Sequence, residues 1–228
     1  MRMKSPLHTT ARTFITAAAL TLGLHSSAFA ADHAGSGISP DAGLAKLLAG
    51  NARFAKGGVS HPNQGSARRA EVAKGQKPFA IVVGCSDSRT SPEIVFDQGL
   101  GDVFVTRLAG SIVDDAALGS IEYGVDHLGS SVIVVLGHER CGAVDAAMKG
   151  GKAPGKIGSV VKPILPAVNA VKKSATPTLD AAIDENARRT AASLTARSRI
   201  LSDRVNAGTL KIVAARYDLD SGRVTLVR

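Results

Sequence analysis

The chain has 228 residues, with 28 Lys and Arg against 19 Asp and Glu, a formal net charge of +9, two cysteines and no tryptophan. That length suits one domain with a sizeable core. The charge does not describe a nucleic-acid binder: Arg68-Arg69, Lys172-Lys173 and Arg188-Arg189 are isolated pairs in different segments, and no basic run is interleaved with aromatics.

Residues 1–30 open with Arg2, Lys4 and Arg12 and no acid, continue with an apolar stretch from Phe14 to Leu24, and close on Ala28-Phe29-Ala30. This is the pattern of a secretory signal peptide with a small-x-small cleavage site. Its apolar segment is too short to span a bilayer, which takes about 20 residues. Cleavage after Ala30 predicts a periplasmic protein with no membrane span and lowers the formal charge from +9 to +6. Residues 31–41, ADHAGSGISPD, read as a flexible mature N-terminus, followed by one domain over 42–228.

Within that domain, PDAGLAKLLAGNARFAKG has helical periodicity, with Leu44, Leu47, Leu48 and Phe54 on one stripe, and SARRAEVAKGQ suits a second, short helix. FAIVVGC (79–85), DVFVTRL (102–108) and SSVIVVLGH (130–138) are continuous apolar runs, spaced widely enough for helices between them. Such runs suit parallel strands covered on both faces. DDAALGSIEYGVDHLG reads as an amphipathic helix carrying Leu118, Ile121, Tyr123, Val125 and Leu128 inward, and CGAVDAAMKGG starts another directly after the third strand. Pro154, Pro163 and Pro166 predict short helical pieces and loops over 152–177. One long helix or two broken ones follow up to Gly208, then a hairpin over TLKIVAARYDLDSGRVTLVR. The expected fold is α/β: a mostly parallel central sheet with an antiparallel edge strand, flanked by helices, with an N-terminal helical arm.

The two cysteines lie at strand ends. Cys85 follows the first run in GCSDSR; His138 ends the third run, and Cys141 stands three residues on in LGHERCGA. Ligands in open α/β sheets gather at the carboxyl ends of the strands, where the strand order reverses. Two thiols and one imidazole converging there make a Cys2His set, a catalytic zinc pattern with its fourth position open. A Cys85–Cys141 disulfide is the simpler reading for an exported protein, but it leaves His138, Asp87 and Arg89 without a role. A catalytic thiol has no CxxC or CxxxxxR motif to support it. Asp87, two residues from Cys85, either accepts a hydrogen bond from a zinc-bound water or binds zinc itself; the fork of Arg89 would hold it ionised and turned from the metal. The alternative for that pair is a surface ion pair worth about 0–1 kcal/mol. The predicted chemistry is attack by a zinc-bound hydroxide on a small electrophile.

GCSDSRTSPEIVFDQGLGDVFVTRLAG followed by GSIEYGVDHLGSSVIVVLGHERCGAV resembles the β-class carbonic anhydrases, and the likeness continues through ENARRT to YDLDSGRV. The resemblance implies reversible hydration of carbon dioxide to bicarbonate and a proton, with Zn2+ on Cys85, His138 and Cys141 and an Asp87–Arg89 dyad orienting the zinc water. It implies a homodimer or homotetramer with the cleft at the subunit interface. It also implies a substrate pocket of Gln76 (from the partner subunit), Phe104, Tyr123 and Gly142. A subset of the family places Asp on zinc at low pH beside a regulatory bicarbonate site; the tryptophan usual in that site has no counterpart here, so the open, water-bound form is expected. Hydrolysis of carbonyl sulfide or carbon disulfide on the same site, and a zinc-binding sensor or structural protein without turnover, are the alternative functions.

Overall fold

A computed structural model describes residues 37–228. The signal-peptide expectation for 1–30 and most of the flexible stretch lie outside these residues. Pro40 and Asp41, which the sequence reading put both at the end of that stretch and at the head of the first helical segment, begin α1 (Pro40–Ala55): Ser39 accepts a bond from the Ala42 amide, and proline occupies the first turn.

α2 (Ser66–Val72) leads to β1 (Ala80–Gly84), short α3 (Pro92–Val95) and β2 (Val103–Arg107). A 3-10 turn at Ala109–Ser111 precedes α4 (Asp115–Asp126), β3 (Val132–His138), α5 (Gly142–Lys149), α6 (Gly158–Val171), α7 (Leu179–Arg197) and α8 (Arg199–Asn206). β4 (Lys211–Tyr217) and β5 (Val224–Val227) complete one sheet of order β2-β1-β3-β4-β5. β1 pairs in parallel with β2 and β3, β3 in parallel with β4, and only β4–β5 is antiparallel. The chain leaves β1 for β2 on one side and returns to β3 on the other, so the strand order reverses between β1 and β3.

β1 and β3 are buried along their whole length. Their alternate residues face two cores, as a period of two requires. Ala80, Val82, Val132, Val134 and Leu136 pack with Leu44 and Leu47 of α1 and Val95 and Phe96. Ile81, Val83, Ile133 and Val135 pack with Leu118, Ile121 and Val125 of α4, Ala187 and Leu194 of α7 and Leu201 of α8. A third apolar cluster gathers Cys85 and Cys141 with Ile112 and residues of α5, α6 and α7. Asn51 on α1 ties this frame together: its Nδ2 donates to the Val95 and Gly222 carbonyls at 3.1 and 2.9 Å, and its Oδ1 accepts from Val224 at 2.8 Å.

Two local expectations are corrected. The proline-bearing segment forms one 14-residue helix, α6, rather than short pieces. Pro163 and Pro166 lie on its exposed face, where the carbonyls they leave without an amide partner meet water, while Ile164, Ala167, Val168 and Val171 are buried. Tyr123 is not on the inward stripe of α4: Leu118, Ile121 and Val125 are, at helical spacing, and Tyr123 stands 46 % exposed.

Candidate metal centre

The site grows from the ends of β1 and β3. Cys85 follows Gly84 as β1 ends, and His138 is the last residue of β3. Arg140 takes a left-handed backbone (φ 53°), which turns the chain so that Cys141 occupies the cap position of α5. Cys85, His138 and Cys141 are 5 %, 1 % and 3 % exposed. Their donor atoms lie within 4.8 Å of one another, and both cysteines are free thiols.

The imidazole is committed to one tautomer. His138 Nδ1 lies 2.8 Å from the Glu139 carbonyl oxygen, which can only accept, so Nδ1 carries the proton. Nε2, the other ring nitrogen, is buried and without a hydrogen-bond partner. An orphaned buried acceptor is costly unless something fills its place. Cys85 Sγ accepts the Gly110 amide at 3.2 Å. The Cys85 thiol is lowered to about 4, first by a bond from the Cys141 thiol and then, against burial, by His138 and the Gly110 amide. The bond with Cys85, then burial and the Cys85 charge, push Cys141 up. Two sulfurs this close do not both ionise unaided; a cation between them reverses that. Two soft sulfurs and an imidazole nitrogen are a donor set that could hold a metal ion and suits zinc.

Asp87 borders this set. Arg89 donates to it from Nε at 2.9 Å, from Nη2 at 2.7 Å and from its amide at 3.0 Å. The guanidinium holds the Asp87 carboxyl well below the usual carboxylate range, against burial and with help from the Arg89 amide. Asp87 Oδ2 remains 3.8 Å from His138 Nε2. The loop beneath is clamped by Arg107 at the end of β2, whose Nε donates to the Cys85 carbonyl at 2.7 Å and Nη2 to the Asp87 carbonyl at 2.6 Å.

The remaining expected residues are not gathered here within one chain. Gln76 lies in the exposed loop after α2, lining a groove of about 410 Å³ with Arg68, Lys74 and Lys77. Phe104 packs on the α4 side of the sheet, outside the cluster around the cysteines. Tyr123 stacks on His127 with ring centroids 5.0 Å apart. Gly142 opens α5, and a Cβ added there would meet open space. Three residues escaped the sequence reading: Arg107, Gly110 and Asn186, whose Nδ2 donates to the Gly110 carbonyl at 2.8 Å. Arg107 is a lone cation closing an apolar run, and Asn186 a lone amide on the small-apolar stripe Ala182, Ile183, Ala187; both signals were present.

The family model "Carbonic anhydrase" matches residues 80–224, a span holding Cys85, Asp87, Arg89, His138 and Cys141. Carbonic anhydrase 2 of Mycobacterium tuberculosis is 45 % identical over 192 residues, covering 82 % of this chain and 93 % of its own. A carbonic anhydrase of Mycolicibacterium smegmatis is 44 % identical over 192 residues, with the same coverage of each chain. Among solved structures, the β-carbonic anhydrase of Coccomyxa in complex with acetazolamide superposes with a TM-score of 0.65 at 29 % identity, covering 81 % of this chain and 86 % of its own. With a mostly parallel sheet, an antiparallel edge and a Cys-His-Cys group at the strand-order reversal, the chain belongs to the β-class carbonic anhydrase family.

Proposed function

We propose that this carbonic anhydrase hydrates carbon dioxide reversibly to bicarbonate and a proton using zinc held by Cys85, His138 and Cys141. The observation that carries the reading is the buried Nε2 of His138, facing two sulfurs within 4.8 Å and without a hydrogen-bond partner of its own. Zinc bound there would supply the Lewis acidity that activates a water molecule toward the carbon of carbon dioxide.

The protein's own groups do the rest. The Glu139 carbonyl fixes the imidazole. The Gly110 amide and the third apolar cluster hold the Cys85 sulfur in place and keep bulk water from it. Arg89 occupies both oxygens of Asp87, turning the carboxylate into an oriented acceptor rather than a fourth ligand. From there Asp87 accepts a hydrogen bond from the reacting water and aims its lone pair at the substrate.

A homodimer supplies what one chain lacks. β2 is a half-buried edge strand, Tyr123 is exposed on α4, and Gln76 stands on an exposed loop. In the assembly Gln76 of one subunit, with Phe104, Tyr123 and Gly142, would line the carbon dioxide pocket. The basic, acid-free opening of residues 1–30 and Ala28-Phe29-Ala30 support export to the periplasm; among the described residues no helix is long and apolar enough to cross a membrane.

Metal analysis of the purified protein tests the reading. About one zinc per chain is expected, lost in Cys141→Ser. Full zinc content in Cys141→Ser would overturn the ligand set.

A further inference from the structure

We infer that Asn186 is a positioning residue for the metal centre: by holding the Gly110 carbonyl it keeps the Gly110 amide aimed at the Cys85 sulfur. The inference rests on the zinc reading above.

Asn186 lies on α7, 76 residues along the chain from Gly110, and is 5 % exposed. The other buried residues of α7 are Ala182, Ile183, Ala187 and Leu194, an apolar stripe against the sheet and α6. A leucine would continue that stripe; an amide there has to find a partner. Its Nδ2 finds the Gly110 oxygen at 2.8 Å, inside the protein. On its amide side, Gly110 donates to Cys85 Sγ at 3.2 Å. Two consecutive hydrogen bonds therefore connect the middle of α7 to a sulfur of the metal group.

The intermediary needs such a restraint. Gly110 has a left-handed backbone (φ 74°), in a turn where glycine alone is unstrained and where glycine is also the freest residue. Its neighbours close on one side only: a Cβ there would meet Ile164 Cδ1 at 2.6 Å and Ala143 Cβ at 3.2 Å. Ser111 anchors the next residue through its Oγ, which donates to the Leu136 carbonyl at 2.8 Å. Asn186 supplies the bond between these two restraints, on the carbonyl of Gly110 itself. With that bond gone, the Gly110 carbonyl is left buried beside an apolar stripe, and the cheapest relief is a rotation of the turn that also swings the N–H away from Cys85. A thiolate relieved of an N–H donor gives more charge to its metal, so the residue sets the electronic character of the centre as well as its shape.

The test uses the cobalt(II)-substituted protein, whose thiolate-to-cobalt absorption reports directly on the sulfurs, together with zinc affinity by chelator competition. Asn186→Leu and Asn186→Ala are compared with Leu194→Ala, which opens a cavity under the same helix in the apolar cluster that holds neither cysteine. The expected result is a shift of the sulfur band to longer wavelength and a zinc affinity lowered about 10- to 100-fold in both Asn186 variants. Leu194→Ala should lose thermal stability but keep the wild-type band and affinity. Asn186→Ala provides the measurement if Asn186→Leu does not fold. Wild-type band and affinity in a folded Asn186 variant, or the same shift in Leu194→Ala, would overturn the inference while leaving the metal centre standing. A wild-type protein that takes up no cobalt would instead refute the Cys-His-Cys centre, and this inference with it.

Discussion

Arg89 grips Asp87 through two parallel bonds, Nε to Oδ1 at 2.9 Å and Nη2 to Oδ2 at 2.7 Å, a fork-to-fork pairing within a single turn of loop. The same Oδ2 lies 3.8 Å from Nε2 of His138, so the pair borders the Cys-His-Cys group on which the proposed reaction runs. Removing the carboxylate should therefore spare the metal and impair the reaction. Asp87→Ala is expected to retain zinc and to lose carbon dioxide hydration by about 10- to 100-fold or more. Zinc content and stopped-flow rates on the same sample check this; full activity in the variant would remove Asp87 from the mechanism.

The subunit assignment of Gln76 has its own genetic test. Gln76→Ala and Asp87→Ala should each be impaired alone. In a heterodimer of the two, one site keeps Asp87 from one chain and Gln76 from the other. Co-expression with random pairing should restore about a quarter of wild-type activity, since half the dimers carry one intact site of two. Additive impairment with no restoration would place Gln76 in its own chain's site or outside any site.

Much of this centre was legible in the sequence, and the reason is physical. Cys85 and His138 end apolar runs that could only be buried parallel strands, and strand ends in such sheets converge. The HxxC spacing works because one left-handed residue, Arg140, turns the chain between His138 and Cys141. What stayed hidden were the groups acting through the backbone. Arg107 and Asn186 bond to carbonyls of residues about 20 and 76 positions away, a relationship fixed by tertiary packing alone. α6 was misread for the same reason: burial of Ile164, Ala167, Val168 and Val171 outweighs two prolines placed on the exposed face. Tyr123 entered the inward list of α4 on residue type, although its position is off the 118-121-125 stripe.

Acid stability should depend on Asp97, outside the Cys-His-Cys group. Burial pushes its carboxyl up, but the amides of Ser60 and His61, the Arg53 guanidinium and the Ser60 hydroxyl outweigh it and hold the group well below the usual range. A carboxyl lowered on folding stabilises the protein above its unfolded pKa of about 3.9, and that contribution is lost as pH falls through the folded value. Asp97→Asn is expected to cost about 2 kcal/mol at pH near 7 and progressively less below about pH 4. Denaturant unfolding at the two pH values checks the sign; an equal loss at both would show that the charge is not what Asp97 contributes.

Hydration of carbon dioxide by the zinc-loaded protein, followed by stopped flow from about pH 6.5 to 9 before and after chelation, tests the zinc-dependent reaction most directly. Turnover that rises with pH, disappears on chelation and returns with zinc is the predicted result. Zinc firmly bound with no turnover at any pH would contradict it.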